Sequence, residues 1–516
     1  YLYSKHNTAE DMEEAVLQSV EAGLNIRCTF RSPDSYVLPL RKLIKEGAIS
    51  METIDSRVRD ILRVKFLVGL FDNPYQTDLK QADKEVNSPE NQQIALQASK
   101  ESLVLLKNKD NLLPLDANKI SKIAVCGPNA DEKSFVLTHY GPLAVEVTTV
   151  LDGIRNKVKP GTEVLYTKGC DLVDPNWPES ELMRFPLSDE EKKEIDLAVE
   201  NARKSDAVVI VLGGGTRTCG ENKSRSSLEL PGRQQELLEA VAATGKPVIL
   251  VLINGRPLSI NWADKIIPSI LEAWYPGSQG GIAVADALFG DYNPGGKLTV
   301  TFPKTVGQIP FNFPSKPAAQ IDGGHNPGMK GNMSRVNGPL YPFGYGLSYT
   351  RFEYSDLTLS SDSFPGRIDV SVKISNTGKV AGKEVVQLYL TAPAVLQDKL
   401  EREVKGFAKT RLLAPGESQI LTFTLDPRSL CSFRSGISSW VAEAGSYEVK
   451  IGASSQDIRQ RASFSLGKEL VVEKLHDVLA PNVPIKDMGT TSAKVLGADQ
   501  PFDHYHELDY KFNWHW

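Results

Sequence analysis

No run of about 18 or more apolar residues, the length at which a helix begins to span a bilayer, occurs in the 516-residue sequence, so no membrane span is expected. Cysteine is scarce. Cys28, Cys126, Cys170, Cys219 and Cys431 are scattered without a C-x-x-C pair, which excludes a legible disulfide framework or zinc site and leaves the compartment unreadable from cysteine. The seven histidines are dispersed, and "HYH" at 504–506 reads as surface rather than ligand. No metal and no cofactor is expected. Charge of one sign is also weak: a net charge of −5 gives no reason to expect nucleic acid or an anionic membrane as partner. No G-x-x-x-x-G-K-[ST] loop and no repeat of solenoid length is present. The sequence opens "YLYSKHNTAED" without an initiator Met or a signal peptide, and this is read as a start from which something upstream is missing.

What is present divides the chain. With 41% hydrophobic and 24% charged residues the composition is globular, and the length suggests about three domains of roughly 150 residues. Residues 8–70 read as helical, with Thr8 as an N-cap, and with Ile54, Val58, Ile61, Leu62 and Phe66 as the stripe of a second helix starting near Ser50. These elements are too few to close a domain. Residues 71–95, polar and punctuated by proline, read as a linker. From 96 to 320 apolar strands ("KIAVCGP", "DAVVIVLGGG", "KPVILVLING", "PSILEAWYPG") alternate with helices ("DEEKKEIDLAVENARKS", "RQQELLEAVAATG", "GGIAVADALFG"). That alternation predicts a doubly wound, mostly parallel sheet. After a second linker at 321–350, residues 351–467 carry short alternating strands with no helix between them, a β-sandwich of immunoglobulin or fibronectin type. Residues 468–516 read as an irregular tail.

The stretch "GGGTRTCGENKSRSSLELPG" (213–232) follows one of the predicted strands. Its glycines suggest a phosphate cradle, but the next helix begins only near Pro231, so helix N-terminal amides cannot follow the strand directly and a dinucleotide site is disfavoured. In open α/β sheets ligands sit beyond the carboxyl ends of strands, where this loop places Glu221. A carboxyl group moved into a partly desolvated cleft can serve as a general acid. The plainer reading is a solvated loop charge, and spacing alone favours it.

Several segments, in order along nearly the whole chain, resemble the β-glucosidase and β-xylosidase group of glycoside hydrolase family 3. "TCGENKSRSSLELPGRQQELL" resembles the family's acid/base loop, in which a Glu lies four residues before an Arg and an L-x-L-P stretch follows. The resemblance puts Glu221 at the acid/base position and Arg225 at the substrate-binding Arg. Ser224 stands where many members have Asp. "EAVLQSVEAGLNI" and "RVRDILRVKFLVGLFDNPY" look like the helix and strand after the nucleophile and the closing helix of a (β/α)8 barrel, so that 1–70 is implied to be a barrel remnant. "ASKESLVLLKNKDNLLPL", "GPNAD", "NPGGKLTVTFPK" and "YPFGYGLSYTRFEY" are similar to the α/β sandwich that follows. "ISNTGKVAGKEVVQLYL" and "KGFAKTRLLAPGES" are similar to the fibronectin type III-like domain.

The resemblance implies retaining hydrolysis of terminal, non-reducing β-glucosides or β-xylosides. An ionised Asp attacks the anomeric carbon, and a protonated Glu about 5–5.5 Å away protonates the leaving oxygen and then activates water. The family's S-D nucleophile motif is expected shortly before Tyr1 and is not in this chain. Asp11, read as lying within a helix, and Asp34, in "RSPDS", do not match it. The chain would thus hold the acid/base but not the nucleophile, and by itself be inactive. "LTHYGP" (137–142) aligns with a loop where relatives place an aromatic ring beside the leaving-group sugar, which makes Tyr140 a second candidate, balanced against a packing role. Trp274 and Tyr275 in "EAWYPGSQGG" read as structural. The implied partner is an oligosaccharide or glycoside substrate, the implied setting periplasmic or secreted, and a homodimer is allowed for. A non-catalytic carbohydrate-binding or scaffold fragment stays open as the alternative.

Overall fold

Three helices, α1 (Met12–Glu21), α2 (Asp34–Lys45) and α3 (Met51–Leu67), open the computed structural model, which describes residues 2–3, 6–29, 32–75, 78–86, 88–134, 145–308, 312–314, 338–393, 399–476 and 481–485. The chain divides into two compact units, Tyr1–Leu79 with Leu475–Trp516, and Lys80–Lys474. In the first, Val16 and Val20 of α1 meet Leu43 and Ile49 in a small core, and Arg57 Nε of α3 donates to the Val20 carbonyl at 3.0 Å. Ser50 caps α3, accepting from the Thr53 N–H at 3.0 Å. The cap of α1 is Asp11 rather than Thr8. The Asp11 carboxylate accepts from the Glu14 N–H at 2.9 Å, whereas Thr8 turns back to the Leu2 carbonyl. Asp11 is therefore outside the helix body, and Asp34 is the first residue of α2. The apolar stripe expected on α3 is exposed at Val58, Leu62 and Phe66, and residues 24–29 form no strand.

The expected linker at 71–95 contains helix. α4 (Leu79–Glu85) and the start of α5 (Pro89–Ser102) occupy it, because Ser88 accepts from the Asn91 N–H at 3.2 Å and Pro89 suits the first helical turn. There follow β1 (Val104–Asn108), β2 (Lys122–Cys126), α6 (Val150–Lys157), β3 (Glu163–Thr167), α7 (Asp189–Lys204), β4 (Ala207–Gly213), α8 (Gln234–Ala242), β5 (Val248–Ile253), α9 (Asn261–Ile266), β6 (Ser269–Glu272) and α10 (Gly280–Phe289). The strands make one sheet in the order β1-β6-β5-β4-β2-β3, parallel except for the edge strand β1, which is antiparallel to β6. Alternate side chains serve opposite faces. Val208, Ile210 and Leu212 pack with Ala198 of α7 and Leu237 and Leu238 of α8. Val209 and Val211 pack with Ile154 of α6 and Val284 and Ala287 of α10. Helices cover both faces, which is why β4 and β5 read as unbroken apolar runs.

The strand order reverses between β2 and β4. From β2 the chain moves outward to β3; β4 then lies on the other side of β2 and leads to β5 and β6. Connections leaving the carboxyl ends of β2 and β4 diverge, and such a divergence is where open α/β sheets bind ligands. Both exits need glycine. Gly127 (φ +107°) and Gly213 (φ +133°) are left-handed, and a β carbon on either would come within 2.1 Å of a neighbouring strand's carbonyl, Val211 O and Ile253 O respectively.

A second layered body follows: β7 (Phe352–Leu359), β8 (Ile368–Asn376), β9 (Val385–Thr391), β10 (Glu403–Lys409), β11 (Ser418–Leu425), β12 (Ser432–Arg434), β13 (Ser439–Ala442), β14 (Gly445–Gly452), β15 (Ile458–Leu466) and β16 (Leu470–Lys474). Sheets β10-β9-β14-β15 and β11-β8-β7 bury Val370, Val372, Leu388, Val449 and Ile451 between them. A small third sheet, β12-β13-β16, takes its last strand from the segment expected to be an irregular tail. The sandwich is tied to the α/β layer by Glu101 of α5, which meets both Lys383 and Lys409, and by the Lys297–Glu384 pair at 3.1 Å.

Candidate active site

The β4–α8 loop is closed at its base by one side chain. Gln234, fully buried at the start of α8, accepts from the Gly213 N–H at 2.7 Å and donates to the carbonyls of Gly213 (2.9 Å) and Leu172 (2.8 Å). The loop therefore leaves and rejoins the sheet at nearly the same place. Asn129, from the connection after β2, adds bonds of 3.1 Å to the carbonyls of Gly214 and Ile253. Next, Thr218, 2% exposed, accepts from the Gly215 N–H at 3.0 Å, and its own N–H returns to Gly215 O. This compact turn explains why the polar Thr218 is buried with Gly214 and Gly215.

Glu221 stands at the tip. The Lys223 N–H donates to Gly220 O at 3.2 Å, which makes Gly220–Lys223 a β-turn with Glu221 and Asn222 as its central residues. Asn222 takes φ +62°, a left-handed conformation that Asn enters more readily than other side-chain-bearing residues. The Glu221 side chain is exposed. Beyond it, Arg256, which follows β5, donates to Lys223 O at 2.9 Å.

Arg225 faces the protein. Its side chain is 2% exposed and pairs through Nε with Glu181, itself 5% exposed, from the β3–α7 connection. Its Nη2 donates to Glu229 O at 2.9 Å, and the guanidinium lies 5.3 Å over the Trp177 ring. Glu181 also accepts from the Ser226 N–H and Oγ–H, both at 2.8 Å. Burial by itself would raise the Glu181 carboxyl, but the bonds from Ser226 and Arg225 outweigh it and hold its pKa below the ordinary glutamate value. The Arg225 side chain is thus held among Glu181, the Glu229 carbonyl and the Trp177 ring. Tyr140 lies outside the described residues.

Behind the loop, at the end of β6, is an unforeseen carboxyl. Glu272 has no exposed surface; it accepts from the Trp274 N–H at 2.9 Å and from Asn254 Nδ2 at 3.2 Å. Burial pushes its pKa up to about 8. Trp274 packs edge-on against Phe302, with ring centroids 5.9 Å apart. Tyr275 lies with Cys219 over Gly255, where a β carbon would come within 2.6 Å of both. Neither Glu181 nor Trp177 is legible as a site residue: "DPNWPES" has no periodicity, and nothing in it names a partner 44 residues away in sequence. Gln234 has only the weak signal of the "RQQ" helix start.

Among the described residues no group of three or more His, Cys, Asp or Glu is placed to hold a metal ion, and no helix is long and apolar enough to cross a membrane. Residues 103–349 match the glycosyl hydrolase family 3 C-terminal domain and residues 384–455 a fibronectin type III-like domain. The chain is 38% identical over 479 residues to a periplasmic β-glucosidase of Salmonella typhimurium, covering 90% of this chain and 61% of that protein. It is 38% identical over 468 residues to a β-xylosidase of Formosa agariphila, covering 88% and 61%. Among solved structures, a β-glucosidase of Erythrobacter marinus superposes with a TM-score of 0.79 at 34% identity, covering 90% of this chain and 62% of that one. A β-glucosidase of Listeria innocua in complex with glucose does so at 0.77 and 31%, covering 90% and 61%. This chain thus spans about three-fifths of the length of these relatives. The chain carries, in order, a glycosyl hydrolase family 3 C-terminal domain and a fibronectin type III-like domain, as the α/β layer and the β-sandwich of the fold.

Proposed function

We propose that this chain supplies the general acid/base, Glu221, of a retaining exo-β-glycosidase that removes glucose or xylose from non-reducing ends. The observation that carries the reading is the placement of Glu221: at the exposed tip of a long loop whose base is clamped to the strand beside the sheet's reversal point. A fixed base and a projecting carboxyl suit a proton donor that must reach a sugar held elsewhere. The nucleophilic Asp comes, in this reading, from upstream of Tyr1, with residues 1–70 as the end of a barrel. Tyr140, on the connection after β2, flanks the leaving-group sugar. Arg225 serves by holding the loop rather than by touching the sugar. A periplasmic or secreted setting fits the relative named for the periplasm.

The test compares the full-length protein with its Glu221→Gln variant on an aryl β-glucoside and an aryl β-xyloside. The variant is expected to lose about 10²–10⁴-fold in activity, and the faster substrate names the sugar. This chain without upstream sequence is expected to turn over neither. A full-length protein indifferent to Glu221→Gln rejects the acid/base assignment, and one inert on both sugars favours a carbohydrate-binding or scaffold role.

A further inference from the structure

The connection between β3 and α7 has no regular role in the sheet, yet it is braced at several points. Asp174, 3% exposed, accepts from the Asn176 N–H at 2.8 Å and from Ser180 Oγ at 2.5 Å. At its far end Arg233 donates to the carbonyls of Phe185 and Pro186, each at 2.9 Å, and to Glu191 at 3.0 Å. The braced segment presents two groups to the Glu221 loop. The Trp177 ring lies under the Arg225 guanidinium, and the Glu181 carboxylate receives three bonds from the consecutive residues Arg225 and Ser226. A buried carboxylate bonded to a guanidinium, a backbone amide and a hydroxyl fixes position and orientation together, because each donor approaches from a set direction. The grip falls four residues after Glu221 and two after Lys223, whose carbonyl Arg256 holds.

We propose that Glu181, backed by Trp177, is a positioning residue for the acid/base Glu221: it fixes the descending arm of the loop and so the place from which the proton is delivered. This rests on the reading of Glu221 as the acid/base. The clamp and the acid differ in what their loss does. A misplaced acid hurts glycosides whose leaving group needs a proton and spares those whose leaving group departs unaided. A protein merely less well folded loses activity on both alike.

The experiment measures kcat/KM, which reports the glycosylation step, for the full-length protein on a series of aryl β-glycosides, from unsubstituted phenyl to 2,4-dinitrophenyl. Glu221→Gln sets the reference. Glu181→Ala is expected to lower kcat/KM by about 10–100-fold on the phenyl glycoside, the scale of a misplacement near 1 Å, and to leave the dinitrophenyl glycoside within about threefold. Glu181→Gln keeps an acceptor for Ser226 and is expected to fall between Ala and the parent. If Glu181→Ala does not fold, Glu181→Gln and Arg225→Lys, which loses the planar fork, carry the same comparison. A loss that is uniform across leaving groups, or no loss, in the Glu181 variants overturns the clamp while Glu221→Gln remains leaving-group dependent. A flat profile for Glu221→Gln itself instead removes the acid/base reading, and the clamp falls with it.

Discussion

Glu272 illustrates what one buried group demands of its neighbours. Its pKa of about 8 means that it folds as a neutral carboxyl over most of the ordinary range, with one oxygen carrying a proton. Asn254 Oδ1, next to it, has no hydrogen-bond partner among the described residues. Turning the Asn254 carboxamide end for end lets Oδ1 accept that proton, in place of the bond that Nδ2 donates. Glutamine at 272 can donate to the same oxygen. The folded pKa lies above the ordinary value of 4.5, so the contribution is intact below that value. It is then lost as pH rises toward about 8, because the unfolded chain has released its proton and the folded one has not. Glu272→Gln is therefore expected to gain stability relative to the parent between pH 5 and pH 8, read from urea unfolding at the two pH values. Glu272→Ala strands the Trp274 N–H and is expected to cost about 1–3 kcal/mol at either. Glu221 could be named as a candidate from the sequence because its loop resembles a known one. Glu272 could not, since "EAWYPG" is equally compatible with an exposed and a buried carboxyl. Arg225 shows the converse: its position was legible, but its partner Glu181 lies in another connection, which local pattern does not reveal.

The strands and helices of the α/β layer were largely legible because both periods are strong. Unbroken apolar runs mark strands covered on two faces, and β4 and β5 are buried along their whole length. β3 and α6 escaped notice for the opposite reason: β3 is an edge strand with only partial burial, and α6 is short. α4 was hidden by polar composition, and the start of α5, inside the expected linker, is set by the Ser88 cap rather than by an apolar stripe. At the exit of β4 the backbone is more demanding than composition suggests. Gly213→Ala puts a β carbon 2.1 Å from Ile253 O at a left-handed φ, so β4 and β5 must separate or the peptide must turn. A loss of about 1–3 kcal/mol is expected, read as a lower melting temperature.

Between the layered bodies of the second unit, charge does much of the joining. Glu101 of the α/β domain receives Lys383 and Lys409 of the β-sandwich. Burial by itself would raise its carboxyl, but the two lysines outweigh that and hold its pKa below the ordinary value. A depressed pKa contributes stability above 4.5 and loses it as the pH falls through the lower folded value. Glu101→Gln leaves two ammonium groups facing each other without a carboxylate. Its melting curve is expected to broaden or split at neutral pH and to approach that of the parent in acid, measured by calorimetry from pH 7 to pH 3. The two-body architecture was readable from the change of pattern near residue 350. The bonds that join the bodies were not, since they pair residues about 280 to 310 positions apart.

The closure of residues 214–233 onto Gln234 separates reach from foundation. Because both ends meet one buried amide and the descending arm is held at Arg225 and Ser226, insertions or deletions confined to the tip, between Cys219 and Asn222, need not disturb the strands. Lengthening such a loop is also inexpensive, about 0.6 kcal/mol for each doubling. The tip is thus an interchangeable insert. Grafting loops of other lengths onto the same two ends would let the depth to which a carboxyl projects vary while the sheet beneath stays constant.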